Sequence, residues 1–250
     1  MRIRKVTITG ADDQTSIAWM LKTQHRYPFV EWGILVAKSQ VGVPRYPGKD
    51  WLAGLTRWQA ELTTSVHVCG RFVRRICEGD WTELGYSHGE LIGGAKRVQL
   101  NFHSRVHKLE EPFLDTAKHI SQETGFQLIF QLDGVNDDLM QRARQRGIDA
   151  VPLFDRSGGA GVLPESWPVQ TQGLYSGYAG GLGPENVLDQ IEKIAAVATG
   201  DIWIDCETRV RTPDDARLDE SAVESFLKQC SELSLIGDSA VSEGDHAKEA

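Results

Sequence analysis

Short apolar or β-branched runs alternate along this chain with longer stretches whose apolar residues recur at helical spacing. "IRKVTIT" (3–9), "VEWGILVA" (30–37), "SVHVCG" (65–70) and "RVQLNFH" (97–103) read as four strands. "FQLIFQL" (126–132), "IDAVPLFD" (148–155), a run within "QGLYSGYAGG" (172–181) and "DIWIDCET" (201–208) read as four more. Between them the pattern predicts helices over "DDQTSIAWMLKTQ", with an acidic start, over "KDWLAGLTRWQAEL" (49–62) and somewhere inside 72–95. Further helices are expected over "PFLDTAKHISQETG", "DDLMQRARQRG", "PENVLDQIEKIAAVA" and "DESAVESFLKQC". The connection "RSGGAGVLPESWPVQ" carries little helical periodicity.

Eight strand–helix units predict an α/β fold, a (β/α)₈ TIM barrel forming a single domain over 1–236, with a polar, disordered tail over 237–250. The rival is an open doubly wound sheet; the number and even spacing of the strands favour closure. A barrel places function at the C-terminal ends of its strands. The polar side chains there are Thr9, Lys38, His67, Cys69, Arg71 and Asn101 in the first half of the chain. In the second half they are His103, Gln131, Asp133, Asp155, Tyr178, Asp205 and Glu207.

Composition narrows the classes. The chain has 250 residues, 40% of them hydrophobic, and a formal net charge of −8. That balance argues against a sequence-independent grip on nucleic acid. "RFVRRIC" is basic but short, and reads as a solvated helix face with a buried seam. No apolar stretch approaches the roughly 18 residues of a membrane span, and no secretory signal is recognisable. The four cysteines are scattered and form no Cys-x-x-Cys pair. A cytoplasmic protein is expected, with neither metal nor cofactor, acting on a small molecule without nucleic-acid or membrane partners. A homo-oligomer is compatible with all of this.

Three stretches suit chemistry. In "GYAGGLGPENV" (177–187), Gly180 and Gly181 end a strand just before a helix expected to start near Pro184. Glycines allow close backbone approach, and helix N-termini favour anions; the plainer reading is a tight turn with proline at the first helical position. In "LFDRSGGAG", Asp155 precedes a loop containing Gly158 and Gly159, which suits a general acid or, equally, an Asp that bonds loop amides. In "WIDCETRV", Asp205 and Glu207 are two apart and share one strand face. They read as a paired acid/base site or a metal site, or Glu207 lies past the strand and pairs with Arg209 or Arg211.

These residues resemble the phosphoribosylanthranilate isomerase family over most of the chain. "GGLGPENV" is similar to its Gly-Gly-Leu-x-Pro-Glu-Asn-Val motif, "FDRSGGAG" to its Leu-Asp…Gly-Gly-(Thr/Ser)-Gly element, and "RVQLNFH" to its Val-Gln-Leu-His-Gly. "LVAKSQVGVPRYPGKDWL" resembles its Phe-x-Lys-Ser-x-Arg-Tyr loop. The resemblance implies a barrel that performs an Amadori rearrangement, opening a phosphoribosyl amine and moving a proton from C2′. It implies Asp155 as acid, Arg45 as a clamp for a substrate carboxylate, Gly180 and Gly181 at the phosphate, and Asp205 near the ring. Lys38 falls in the clamp loop. Three positions depart from the pattern. Thr9 stands where the family has its Cys base, Asn101 replaces a His, and Glu207 and Thr208 replace small residues beside the phosphate, with Arg209 a candidate counter-charge. The base is then to be sought among Cys69, Glu207 and His67, His67 being a substrate-contact candidate as well. The leading expectation is a divergent isomerase-like enzyme on a phosphorylated sugar or sugar-amine. The alternatives are a lyase, aldolase or metal-assisted epimerase on the same barrel, or a barrel that binds without catalysis.

Overall fold

Parallel strands wrapped by helices are buried on both faces, and this requirement organises the chain. The computed structural model describes residues 1–102, 111–134, 138–157, 160–171 and 173–233; the C-terminal tail, 237–250, lies outside them. The strands are β1 (Arg2–Thr9), β2 (Val30–Val36), β3 (Thr64–Val68), β4 (Arg97–Leu100), β5 (Gln127–Leu132), β6 (Ala150–Phe154), β7 (Ser176–Ala179) and β8 (Asp201–Cys206). Each pairs in parallel with the next, and β8 pairs with β1, so the sheet is a closed barrel. The helices are α1 (Ile17–Arg26), α2 (Lys49–Thr56), α3 (Gly70–Cys77), α4 (Thr82–Gly94), α5 (Glu111–Thr124), α6 (Asp138–Gln145), α7 (Val187–Ala195) and α8 (Glu220–Ser231). Among the described residues no helix is long and apolar enough to cross a membrane.

Four local expectations shift. α1 starts at Ile17 behind the cap of Ser16, whose Oγ accepts from the Trp19 amide at 3.3 Å. The acidic pair before it belongs to the β1 loop, because Asp12 is buried there and takes the Gln14 and Arg45 amides at 3.1 and 2.7 Å. α2 stops at Thr56, short of 62. The segment 72–95 holds two helices, since Gly79 turns with φ of +92° and Asp80 then accepts from the Thr82 amide at 2.9 Å to start α4. α7 begins at Val187, three residues past Pro184, after a turn braced by Asn186.

Two larger apolar regions result, beside a small cluster of Leu35, Ala37 and Cys69 near the ends of β2 and β3. The larger lies between sheet and helices, where Trp32 meets Trp19 edge-on at 5.4 Å and Phe102, Phe113 and Phe130 pack together. The "RFVRRIC" helix, α3, buries Phe72, Val73 and Ile76 in it, as its seam predicts. The smaller lies inside the barrel and contains Ile129, Val151, Leu153, Ala179 and Trp203, all from the β5–β8 half. The β1–β4 half of the interior is polar, with Thr7, Glu31, Ser65, His67, Arg97 and Gln99 all buried.

Glu31 and Arg97 hold that polar half together. Arg97 Nε donates to Glu31 Oε2 at 2.9 Å, a second guanidinium nitrogen donates to Oε1, and Thr7 Oγ1 adds a third bond at 3.0 Å. The guanidinium also lies 4.3 Å from the centroid of the Trp203 ring. Burial pushes the Glu31 carboxyl up, but the Arg97 charge and these hydrogen bonds outweigh it and hold the group below its ordinary value.

Arg97→Met should therefore destabilise the protein by about 3–5 kcal/mol in urea unfolding, because Glu31 is left buried without its counter-charge. Adding Glu31→Gln should recover most of that loss. A carboxyl depressed in the folded state stabilises above its unfolded pKa and ceases to as pH falls through its folded pKa. The wild type should thus lose more stability than the double variant on acidification below about pH 4.

Candidate active site

Above that ion pair the barrel mouth opens into a cavity of about 670 Å³. Two aspartates, Asp155 and Asp205, line it. Asp155 follows β6, one residue after Phe154, which pairs with Tyr178; Ala179 pairs with Asp205. Asp155, Ala179 and Asp205 therefore stand side by side on β6, β7 and β8. At about 4.8 Å between strands, the two aspartates are about 10 Å apart at Cα.

Each carboxyl is held by its own donors. Asp155 is buried and accepts from Gln131 Nε2 at 2.7 Å, the Ser157 amide at 3.0 Å and Ser157 Oγ at 2.7 Å. It is thus both a loop-ordering aspartate and a wall of the cavity. Asp205 accepts from Thr9 Oγ1 at 2.8 Å. Burial raises the Asp205 pKa well above the ordinary carboxylate value, the charges of Glu207 and Asp155 add to this, and only the Thr9 bond opposes it. Thr9 is thereby a donor to Asp205. Gly33 makes this possible: any side chain there would clash with the Thr9 hydroxyl and come within 2.8 Å of His67 Cε1.

The other base candidates are quenched. His67 is buried, shares a 2.8 Å hydrogen bond with Ser65 Oγ, and is pushed down to about 4 by burial, so it is neutral near pH 7. Cys69 is pushed up to about 12 by burial, and then by the charge of Glu207, so its thiolate is not populated near pH 7. The thiol donates to the His67 carbonyl at 3.7 Å and accepts from Asn101 Nδ2 at 3.2 Å.

Arg45 meets an unforeseen partner. One guanidinium nitrogen binds Glu207, while Nε and the other nitrogen bind Asp215 at 3.0 and 2.9 Å. Asp215 also binds Arg211 Nε at 2.6 Å, and Arg211 reaches Asp12 at 3.3 Å. Arg45 itself has φ of +74°, and its amide is fixed to Asp12. Glu207 thus pairs with neither Arg209 nor Arg211. Arg209 binds Glu185 at 2.8 Å and leaves Glu207 to Arg45. The Glu207 carboxyl is raised by burial, with Arg45 opposing.

Gly180 (φ +112°) and Gly181 (φ +65°) do form a turn at the mouth. A Cβ on Gly180 would lie 3.0 Å from the Val162 carbonyl oxygen and 3.6 Å from Asp155 Oδ1, and one on Gly181 would lie 2.6 Å from the Leu163 amide nitrogen. Both glycines are therefore required by the β6–β7 connection that crosses them. Thr208 packs against Gly161 of the same connection.

Some candidates lie elsewhere. Lys38 points away to Glu83 of α4 at 2.8 Å, and Arg71 reaches the same carboxylate. Tyr178 packs outward against Phe154 and Trp167. Gly158, Gly159 and His103 lie outside the described residues. Sequence reasoning passed over Gln99, Tyr46, Ser157 and Arg156, all in the cavity wall. Gln99 alternates with Arg97 and Asn101 along one strand, and that period of two is the signal that identifies it as inward-facing.

No protein-family model matches the chain. No curated protein matches it in sequence. Solved structures do resemble it. N-(5′-phosphoribosyl)anthranilate isomerase from Pyrococcus furiosus superposes with a TM-score of 0.57 at 14% identity, covering 92% of this chain and 99% of that one. Monomers of the dimeric Thermotoga maritima phosphoribosylanthranilate isomerase give 0.53 at 17% identity, with the same coverage. A truncated 3-deoxy-D-arabino-heptulosonate 7-phosphate synthase from Thermotoga maritima gives 0.52 at 9% identity, covering 92% of this chain and 86% of that one. At this level of identity the likeness is one of fold: the chain folds as the (β/α)₈ barrel that these enzymes share.

Proposed function

We propose that this protein is an isomerase of a phosphorylated sugar or sugar-amine, in which Asp155 and Asp205 form the acid–base pair. The observation that carries the reading is their placement at equivalent register positions on either side of Ala179, both lining the same cavity. In such a reaction Asp205, the carboxyl whose proton burial retains, gives a proton to the ring oxygen as the C1–O bond breaks. Asp155, whose carboxylate is supported by three donors, takes the proton from C2, the reverse of the role that the resemblance implies for it. The resulting enol or enamine then tautomerises to the ketose with return of a proton to C1. A carboxyl of raised pKa keeps a proton to give near neutral pH, as a general acid must. Desolvation supplies that increase at Asp205, and Thr9, at the position of the family's Cys base, is a hydrogen-bond donor to that carboxyl.

Two further observations support a phosphorylated substrate. Gly180 and Gly181 line the same cavity as the two aspartates. The structural neighbours named above act, by name, on phosphorylated molecules. A Schiff-base aldolase finds no support, since among the described residues no lysine lines the cavity.

Deuterium incorporation at C2 of sugar phosphates in D₂O, followed by NMR, tests this directly. Asp155→Asn and Asp205→Asn should each slow exchange by about 10²–10⁴-fold while leaving the circular dichroism of the barrel intact. Exchange that survives Asp205→Asn would sink the assignment. The rate should also fall as pH rises through the raised pKa of Asp205 and its proton is lost. Because Thr9 stabilises the charged form, Thr9→Val should move that inflection to higher pH. An unmoved inflection would show that Thr9 does not act through Asp205.

A further inference from the structure

The donors and acceptors around the β2–β4 side of the cavity run in one direction. The Cys69 thiol spends its proton on the His67 carbonyl, so its sulfur accepts from Asn101 Nδ2. Asn101 therefore turns its Oδ1 toward Gln99, which donates from Nε2 at 2.8 Å. Gln99 is left presenting its carbonyl. Gln99 is only 4% exposed, and its Oε1 has no hydrogen-bond partner among the described residues. A buried carbonyl in a cavity wall costs free energy until a donor reaches it.

The charges on the adjoining wall point the same way. Arg45 lines the cavity, and Glu207 and Asp215 already occupy its guanidinium. With Arg211 and Asp12 the cluster holds two cations and three carboxylates, a balance of one negative charge. Glu207 itself lines the cavity. An incoming carboxylate would meet Glu207 and would have to displace it from Arg45, and like charges placed together are strongly disfavoured.

We infer that this end of the pocket selects a group that donates hydrogen bonds and carries no negative charge, a sugar hydroxyl or an amine, with Gln99 and Glu207 as its acceptors. The substrate therefore bears no carboxylate where Arg45 stands. The inference rests on the sugar-phosphate reading above and narrows it. Arg45 acts as the brace of Glu207, a role in which its charge is consumed inside the protein.

Calorimetric titration with three probes of one carbon length tests it: glucose 6-phosphate, glucosamine 6-phosphate and 6-phosphogluconate. The wild type should bind at least one of the first two about tenfold or more tighter than the carboxylate probe. The better of the two identifies hydroxyl or amine as the preferred donor. Glu207→Gln should bring 6-phosphogluconate to within about threefold of the others. Gln99→Leu should weaken the best probe by about fivefold or more; if that variant does not fold, Glu207→Gln decides alone. Wild-type binding of 6-phosphogluconate as tight as the others, unchanged in Glu207→Gln, would overturn the inference and leave the sugar-phosphate reading standing. Failure of all three probes and of inorganic phosphate to bind would overturn both.

Discussion

A buried ion pair inside the barrel determines where a ligand can go. Glu31 on β2 and Arg97 on β4 neutralise each other, take a hydroxyl from Thr7, and lay the guanidinium on the face of Trp203 from β8. Polar and apolar halves of the interior meet at that stack. It closes the lower barrel with side chains, so the free volume begins one layer higher, at the ends of the strands. Everything proposed for the site depends on this division. A barrel filled throughout by aliphatic layers would need no such pair, and one without it would leave buried charge uncompensated.

Above the stack, the chemistry is decided by how a few carboxyls are partnered. Asp155 has three donors and Asp205 has one, so two residues of the same type lining one cavity are held differently. Glu207, two residues beyond Asp205, is held by a guanidinium. The same cavity contains a thiol and an imidazole that burial holds uncharged near neutral pH. The departures from the isomerase-like pattern are thus coupled. Thr9 hydrogen-bonds Asp205, and Glu207 occupies Arg45. A substitution at β1 and one after β8 each act on a residue that the resemblance had assigned to substrate.

The order of elements was legible because it depends on periodicities of two and of about 3.6 residues, which are local properties. The strand-end positions of Asp155 and Asp205 followed from it, and so did the buried seam of α3. Boundaries failed where one turn residue outweighed the pattern, as Gly79 does between α3 and α4 and as the buried Asp12 does before α1. Lys38 shows the limit of reasoning from strand ends: its side chain is long enough to leave the mouth and pair with Glu83 on the surface. Gln99 was readable in principle, since it alternates with Arg97 and Asn101, but its importance arises from the direction of a hydrogen-bond chain through Asn101 and Cys69.

The amino-acid sequence by itself determined the architecture and the strand ends that form the barrel mouth, because burial of both strand faces leaves little freedom in either. Only the tertiary structure decided which of those groups remain chemically available. Glu207 and Arg45 lie 162 positions apart, and Thr9 and Asp205 lie 196 apart. They meet because β8 closes against β1, and closure of a sheet is a property of the whole chain. Pairing and burial then set the state of each acid, and neither is written in the neighbourhood of the residue that bears it.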